Sequence, residues 1–372
     1  MTSGVPVNLF HAVALDLDGT LTSGGALNLD ALSAIDRQRG RGRRVLLVTG
    51  RILAELEEEF PGLADRFDAV VAENGCVLRT PQAVRALADP VDPELRRELV
   101  RSGVPVRSGQ VLLACGGWAG GMAFDAVARL GLDVQVVRNR AELMLLPPGV
   151  TKGTGLQHAL DELGLSPHNT VGVGDAENDH TLLESCELGV AVGNAVDALK
   201  KRADLVLEEP NGTGVAALLE GPLLGGGARP HRHVTIGSDP RGAAVRLPAS
   251  RTNILIEGGS GAGKSYLLGL LAERLALLGY AVLVIDPEGD HTRLAHVPDS
   301  LVVGDGDLLP APEALAGLAI RPHGLVVADL SQLPPERRDR YAEDLAIPVR
   351  ALRAARGYPH WILVDEAQQG DG

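Results

Sequence analysis

Short apolar runs recur along the chain, and the stretches between them place their apolar residues on one helical face. Ala12–Leu17, Arg44–Thr49, Ala69–Ala72, Thr170–Gly174 and Gly189–Val192 are rich in Val, Leu and Ala and lack polar alternation. A strand that is apolar on both faces is covered on both faces, so this pattern predicts a parallel sheet with helices on either side. Ligands of such sheets collect beyond the carboxyl ends of the strands, which makes the polar residues after each run the ones to inspect.

The texture changes from about Gln82 to Leu146, where predicted strands (Val111–Ala114, Asp133–Val137, Leu143–Leu146) mix with predicted helices (Pro93–Arg101, Met122–Leu130). This reads as a small α+β insertion, a cap over the first sheet. A Gly- and Pro-rich stretch, Gly221–His233, reads as a linker. A hairpin follows at His233–Leu247, and a new strand-loop-helix unit opens at Thr252. The expected organisation is a core over 1–81 and 147–221, a cap over 82–146, a linker and hairpin over 222–250, and a second α/β domain over 251–372.

Composition narrows the setting. The formal charge of -13 repels a phosphodiester backbone, which disfavours non-specific nucleic-acid binding by the whole chain. Cys76, Cys115 and Cys186 lie far apart in no zinc-type or CxxC spacing, as suits a reducing cytosol. The longest apolar stretch, Leu267–Ile285, is interrupted by Glu273, Arg274 and Gly279, so no membrane span is expected. The N-terminus lacks a basic region followed by an apolar one, so no signal peptide is expected either, and the expected location is the cytoplasm.

Candidate chemistry gathers first behind the apolar runs of the N-terminal part. Val13–Thr20 reads VALDLDGT, a strand delivering Asp16 and Asp18 together on a tight Gly turn. In such a pair one carboxylate attacks phosphorus while the other protonates the departing oxygen. Two anions facing an anionic substrate call for a divalent cation, and all-oxygen ligands favour Mg²⁺. Val171–Asp179, VGVGDAEND, supplies Asp175, Asn178 and Asp179 after another strand. Thr49, with Gly50 and Arg51 behind it, and Lys152 of GVTKG add the hydroxyl, backbone N–H and ammonium that stabilise a charged phosphoryl group.

With these residues the chain resembles the haloacid dehalogenase-like superfamily, in its Cof-type, sugar-phosphatase-like branch. The motifs are DLDGT (Asp16–Thr20), TGR (Thr49–Arg51), ENG (Glu73–Gly75), Lys152 and GDAEND (Gly174–Asp179), spanning about Phe10 to Leu219. The resemblance implies a Rossmann-like core and a covalent aspartyl-phosphate on Asp16, with Asp18 as general acid and then base. It implies Mg²⁺ held by the Asp16 carboxylate, the Asp18 backbone carbonyl and Asp175, with Asp179 supporting the metal's waters. It also implies that Thr49, Lys152 and Asn178 hold the phosphoryl group, and it places Gly50, Arg51 and Asn74 beside phosphate or substrate. Cap contacts are open: Arg138, Asn139, Arg140 and Glu142 flank the last cap strand as candidates, beside the simpler reading of surface charges.

A second constellation lies in the C-terminal part. The apolar run Asn253–Glu257 is expected as a strand leading into GGSGAGKS (Gly258–Ser265) and then a helix, Tyr266–Leu278. Gly258, Gly261 and Gly263 let backbone N–H groups wrap a phosphate, Lys264 offsets the β/γ charge, and Ser265 reaches Mg²⁺. The magnesium aspartate comes from LVVADL (Asp329) or from WILVDE (Asp365, Glu366). We favour the second, because the adjacent Glu366 can position a water. With Thr235–Pro248, VLVIDPEGDH (Val282–His291) and ILVDEAQ (Ile362–Gln368), this part resembles the FtsK/HerA-like P-loop ATPases. That family continues with core strands beyond the Asp365–Glu366 position, so the P-loop domain is expected to be truncated and ATP binding better supported than turnover.

The sequence thus predicts an α/β protein in two phosphate-handling parts, with Mg²⁺ and ATP as cofactors. The leading reading is a phosphohydrolase for a small phosphorylated metabolite, sugar phosphate being the class the resemblance implies. The alternatives are an ATP-driven motor or switch with an accessory phosphatase domain, and a phosphomutase. Either domain offers a route to oligomers.

Overall fold

The computed structural model describes residues 9–139, 141–224, 232–304, 309–321 and 323–366. It contains two compact units, Leu9–Ala228 and Arg229–Gly372. In chain order the strands of the first are β1 (Ala12–Leu15), β2 (Thr22–Ser23), β3 (Ala26–Leu27), β4 (Arg44–Val48), β5 (Ala69–Ala72), β6 (Val77–Arg79), β7 (Val84–Ala86), β8 (Val106–Ser108), β9 (Leu113–Gly116), β10 (Gln135–Asn139), β11 (Glu142–Leu146), β12 (Thr170–Gly174), β13 (Leu188–Ala191) and β14 (Leu205–Val206). Its helices are α1 (Leu29–Gly40), α2 (Leu53–Glu59), α3 (Pro93–Arg101), α4 (Gly120–Leu130), α5 (Lys152–Leu163), α6 (His180–Ser185), α7 (Asp197–Lys200) and α8 (Asn211–Glu220).

The main sheet runs β14-β13-β12-β1-β4-β5-β6-β7. β1 is parallel to both neighbours, with Ala12 opposite Thr170 on one side and Arg44 on the other. β1, β5, β12 and β13 are buried throughout, which is why they lack polar alternation. Each fully buried Val or Leu there stabilises the fold by about 1.5–3 kcal/mol. Because β1, β4, β5, β12 and β13 all run one way, their carboxyl ends share one edge. β1 stops at Leu15 and not at Leu17, because the amides of Thr20, Leu21 and Thr22 all donate to the Leu17 carbonyl and turn the chain.

Residues 106–146 hold an antiparallel sheet, β10-β11-β9-β8, flanked by α3 and α4. Alternation along β11 separates its two faces. Leu143 and Leu145 pack with Leu95, Leu99 and Ala123, while Met144 and Leu146 join the core of the main sheet. The expected strand Val111–Ala114 lies later, at Leu113–Gly116, because the amides before it bind a side chain of the main-sheet segment instead of a neighbouring strand.

The second unit contains the hairpin β15 (His233–Ser238) and β16 (Ala244–Pro248), then α9 (Lys264–Leu277), β17 (Val282–Asp286), β18 (Ser300–Val303), α10 (Pro312–Leu318), β19 (Leu325–Asp329), α11 (Pro335–Arg356) and β20 (Trp361–Val364). Its parallel sheet runs β18-β19-β17-β20. The strand expected over Asn253–Glu257 is absent from this sheet among the described residues. Ile254 and Ile256 pack against the core while Leu255 is 77% exposed, so the run buries one face and forms no ladder. Among the described residues no helix is long and apolar enough to cross a membrane.

Candidate active site

The sheet edge of the first unit gathers its polar residues from four strand ends. The Asp16 amide donates to the Val173 carbonyl, extending the β1–β12 ladder by one residue before the chain turns. Beyond β12, Asp179 Oδ2 accepts the amides of Asp175 and Ala176, both at 2.9 Å, which closes that turn on itself. Thr20 Oγ1 reaches Asp175 Oδ1 at 3.4 Å and ties the two loops together. Carboxylate oxygens of Asp16, Asp175 and Asp179, all buried, lie within 4.8 Å of one another.

Lys152 is the first residue of α5. A capping box fixes that start: Thr151 Oγ1 accepts the Thr154 amide, and Thr154 Oγ1 accepts the Thr151 amide. The side chain that leaves the first turn is only 2% exposed, and its Nζ donates to Asp16 Oδ1 at 2.6 Å and Asp179 Oδ1 at 2.5 Å. Burial drives the Asp16 carboxyl well above its ordinary pKa, with Asp179 and Asp175 pushing the same way and Lys152 opposing. Burial alone would lower Lys152, but Asp16 and Asp179 outweigh it and hold the ammonium above its usual range. Three carboxylates against one ammonium leave two formal negative charges if all are ionised (3 − 1 = 2), an imbalance that a divalent cation on oxygen ligands would offset. The residues fit such an ion.

Asp18 stands apart from that cluster. Its carboxylate, 35% exposed, is held in a two-pronged pair by Arg51, Nε to Oδ2 and Nη2 to Oδ1, both at 2.8 Å. Arg51 also pairs with Glu59 and lies over the Phe60 ring at 5.2 Å. The structure therefore places the Arg51 guanidinium on Asp18, and Asp18 contributes no carboxylate to the three-acid group. Thr49 is fully buried behind Gly50, and its Oγ1 accepts the Arg51 amide at 3.2 Å. The Asn74 amide donates to the Thr49 carbonyl, and Asn178 Nδ2 donates to Asn74 Oδ1 at 3.2 Å. Asn178 Oδ1 is a buried acceptor with no hydrogen-bond partner among the described residues. Thr49, Asn74 and Asn178 thus form one chain of contacts beside the acids.

Of the cap candidates, Glu142 pairs with Arg107, whose other nitrogen reaches Glu55 at 2.6 Å. Arg138 is exposed, and Arg140 and the Asn139 side chain lie outside the described residues. Two contacts were not foreseen from sequence. Asn194 Nδ2 donates to the Gly19 carbonyl and braces the Asp16–Thr20 turn, and the Thr20 hydroxyl meets Asp175. Thr20 carried a signal in the DLDGT motif; Asn194, far off in sequence, carried none.

In the second unit Gly261 and Gly263 take positive φ values of 74° and 92°, so the loop Gly258–Gly263 curls ahead of α9, which opens on Lys264 and Ser265. Lys264 Nζ lies 3.5 Å from the Gly259 carbonyl. Asp365, after β20, accepts from the Ser265 hydroxyl and from His291 Nε2 at 2.8 Å. Burial would raise its pKa, but the bonds from His291, Ser265 and the Glu366 amide outweigh this and lower it. His291 is in turn set by Asp286, which accepts the amides of Gly289, Asp290 and His291. Asp329 instead accepts the Ser331 amide at 2.8 Å and caps its own turn, so Asp365 is the aspartate that meets the loop's serine. Glu366 follows it with a positive φ of 50°.

The parallel sheet thus aims an aspartate-led acidic cluster, a lysine and a threonine at one edge, the kinds of groups that handle a phosphoryl group. Residues 13–102 and 131–219 match the haloacid dehalogenase-like hydrolase family. Over 212 residues the chain is 33% identical to a phosphoglycolate phosphatase of Methanothermobacter thermautotrophicus, covering 55% of this chain and 96% of that one. Over 232 residues it is 34% identical to a phosphoglycolate phosphatase of Pyrobaculum aerophilum, covering 59% and 98%. A haloacid dehalogenase-like hydrolase from Bacteroides thetaiotaomicron shares the fold, with a TM-score of 0.50 at 21% identity over 57% of this chain and 98% of that one. Residues 245–369 match the central domain of helicase HerA. The chain belongs to the haloacid dehalogenase-like hydrolases and is a phosphatase of that type, with a HerA-like unit in its C-terminal part.

Proposed function

We propose that the first unit hydrolyses a small phosphomonoester with Mg²⁺, through an aspartyl-phosphate on Asp16. The observation that carries this is Lys152 Nζ bridging Asp16 and Asp179 within a buried three-acid group. An Asp16 oxygen attacks phosphorus, the bond to the substrate oxygen breaks, and Asp18 gives that oxygen its proton. Asp18 then takes a proton from water as the water attacks phosphorus, the bond to Asp16 breaks and inorganic phosphate leaves. Lys152, Thr49 and Asn178 hold the phosphoryl oxygens, and Asp18 takes its acid and base part once its carboxylate leaves the pair with Arg51 that holds it in this structure. Asp16, Asp175 and the Asp18 backbone would hold Mg²⁺, with Asp179 behind them, and the bound ion supplies charge stabilisation for the transferring group. Because β7 (Val84–Ala86) pairs into the main sheet, the cap is narrower than 82–146: α3, α4 and the β10-β11-β9-β8 sheet serve to admit the substrate and exclude bulk water.

Phosphoglycolate is the first substrate to try, ahead of the sugar phosphates that the motifs alone implied, because it is the substrate named for relatives covered over nearly their whole length. A panel of 2-phosphoglycolate, sugar phosphates and an aryl phosphate, with and without Mg²⁺, tests the reading. Phosphate release that needs Mg²⁺ and disappears in Asp16→Asn is the expected result; undiminished release in that variant would remove the nucleophile from the scheme.

For the second unit we propose binding of ATP with Mg²⁺ at Gly258–Ser265, supported by the meeting of Ser265 with Asp365. Equilibrium binding of ATP to the protein and to Lys264→Ala tests it, with clear weakening expected in the variant.

A further inference from the structure

We infer that Glu73 is a positioning residue for the phosphatase reaction: it fixes the loop between β8 and β9 against the carboxyl edge of the main sheet, and so sets Asn74 beside Asn178. The inference rests on the phosphatase reading and adds to it a residue with no assigned role there.

Glu73 follows β5 directly and is completely buried. A buried carboxylate needs donors, and its donors here all come from one short loop. Oε1 accepts the Gln110 amide at 2.9 Å, and Oε2 accepts those of Val111 at 3.0 Å and Leu112 at 3.3 Å. Successive backbone N–H groups converging on one anion form a concave nest, and a group that only accepts fills it best. The loop is shaped for this side chain: a Cβ on Gly109 would stand 2.3–2.5 Å from the Glu73 carboxylate atoms.

The same turn reaches the reacting groups. Glu73 and Asn74 both adopt the left-handed conformation, with φ of 53° and 56°, which non-glycine residues hold only when their surroundings impose it. The Glu73 amide donates to the Arg51 carbonyl and the Asn74 amide to the Thr49 carbonyl. Arg51 holds Asp18, and the Asn74 side chain accepts from Asn178. The position of the β8–β9 loop is thereby passed through one rigid turn to Thr49, Asp18 and Asn178. Val111 and Leu112, whose amides Glu73 binds, also enter the core of the main sheet.

The test uses the full chain with Glu73→Gln and Gly109→Ala. The first places an amide NH₂ against backbone donors; the second keeps the carboxylate but blocks the loop. Amide hydrogen exchange at residues 110–112 and kcat/KM for 2-phosphoglycolate and for p-nitrophenyl phosphate are read side by side. The ratio of the two kcat/KM values does not depend on the active fraction, so a merely less stable protein leaves it unchanged. We expect exchange at 110–112 to rise at least tenfold in both variants, and the ratio to change by about tenfold or more. Wild-type protection in Glu73→Gln, or faster exchange with an unaltered ratio, overturns the inference. If Glu73→Gln does not fold, Gly109→Ala decides by the same two readouts. A wild-type protein that cleaves neither ester refutes the phosphatase reading itself, which is a different result from a variant that matches an active wild type.

Discussion

Three buried carboxylates and one ammonium share the edge where Asp16 lies, and their charges act on Asp16 and on Lys152. On the proposed scheme, replacing Asp18 by Asn keeps the shape but removes the proton donor, so kcat should fall by about 10²–10⁴-fold in steady-state assays. The raised pKa of Asp16 also has a consequence for stability. The folded protein binds a proton at Asp16 more readily than the unfolded chain does. That contribution is complete below the ordinary value of 3.8 and is lost as pH rises through the raised one. A cation bound to the ionised group reverses the loss, so the melting temperature in EDTA should drop below that in Mg²⁺ by a margin that widens with pH across this window. A margin that stays constant with pH would show that Asp16 is not the group responsible. That Asp16, Asp175, Asp179 and Lys152 meet at one edge was expected from sequence, because each follows an apolar run or sits in a motif whose chemistry calls for it; the pairing of Asp18 with Arg51 was not. Nor were the contacts of Glu73, since its donors lie 37–39 positions further along the chain in a loop whose position no local pattern reveals.

Elements position these residues through their ends. α5 starts at Lys152 because Thr151 and Thr154 satisfy each other's amides, and the same start aims the lysine inward. Thr151→Ala should therefore cost about 1 kcal/mol from the lost cap. In a unit of this size that lowers the melting temperature by roughly 2–4 °C. Phosphatase kcat should fall further than the lost stability accounts for, because the first turn that carries Lys152 loosens; an unchanged kcat at the lower melting temperature would show that the lysine is placed by its carboxylate partners alone. The fully buried strands β1, β5, β12 and β13 were legible in outline, since full burial leaves a plain apolar run. Their ends were less so. β9 begins after Leu112 because three amides are taken by a side chain, and Asn253–Glu257 buries only Ile254 and Ile256 and joins no ladder. An apolar run records that a segment meets a core; it does not record which backbone groups find partners.

At the scale of the whole molecule, a haloacid dehalogenase-like part and a HerA-like part lie on one chain, and the phosphate sites proposed for them share no residue. In the proposed ATP site Lys264 would offer its charge to a nucleotide phosphate, and it is not a member of the Asp16 cluster. A charge-assisted hydrogen bond contributes about 1.5–3 kcal/mol, so Lys264→Ala should weaken ATP binding by roughly 10–100-fold in calorimetric titrations while phosphate release from 2-phosphoglycolate stays at the wild-type rate. Parallel losses in both assays would mean that nucleotide occupancy governs the phosphatase. The HerA-like match raises the question of nucleic acid, and the formal charge of -13 bears on it. A net negative chain is repelled by phosphodiester at long range, and the repulsion is strongest at low salt, where a DNA-driven motor gains most from electrostatic capture. ATP hydrolysis, where measurable, should therefore show no stimulation by double-stranded DNA at low ionic strength. A several-fold stimulation that fades as salt rises would identify a local basic surface able to overcome the global charge, and would make the second unit the driver and the phosphatase its accessory.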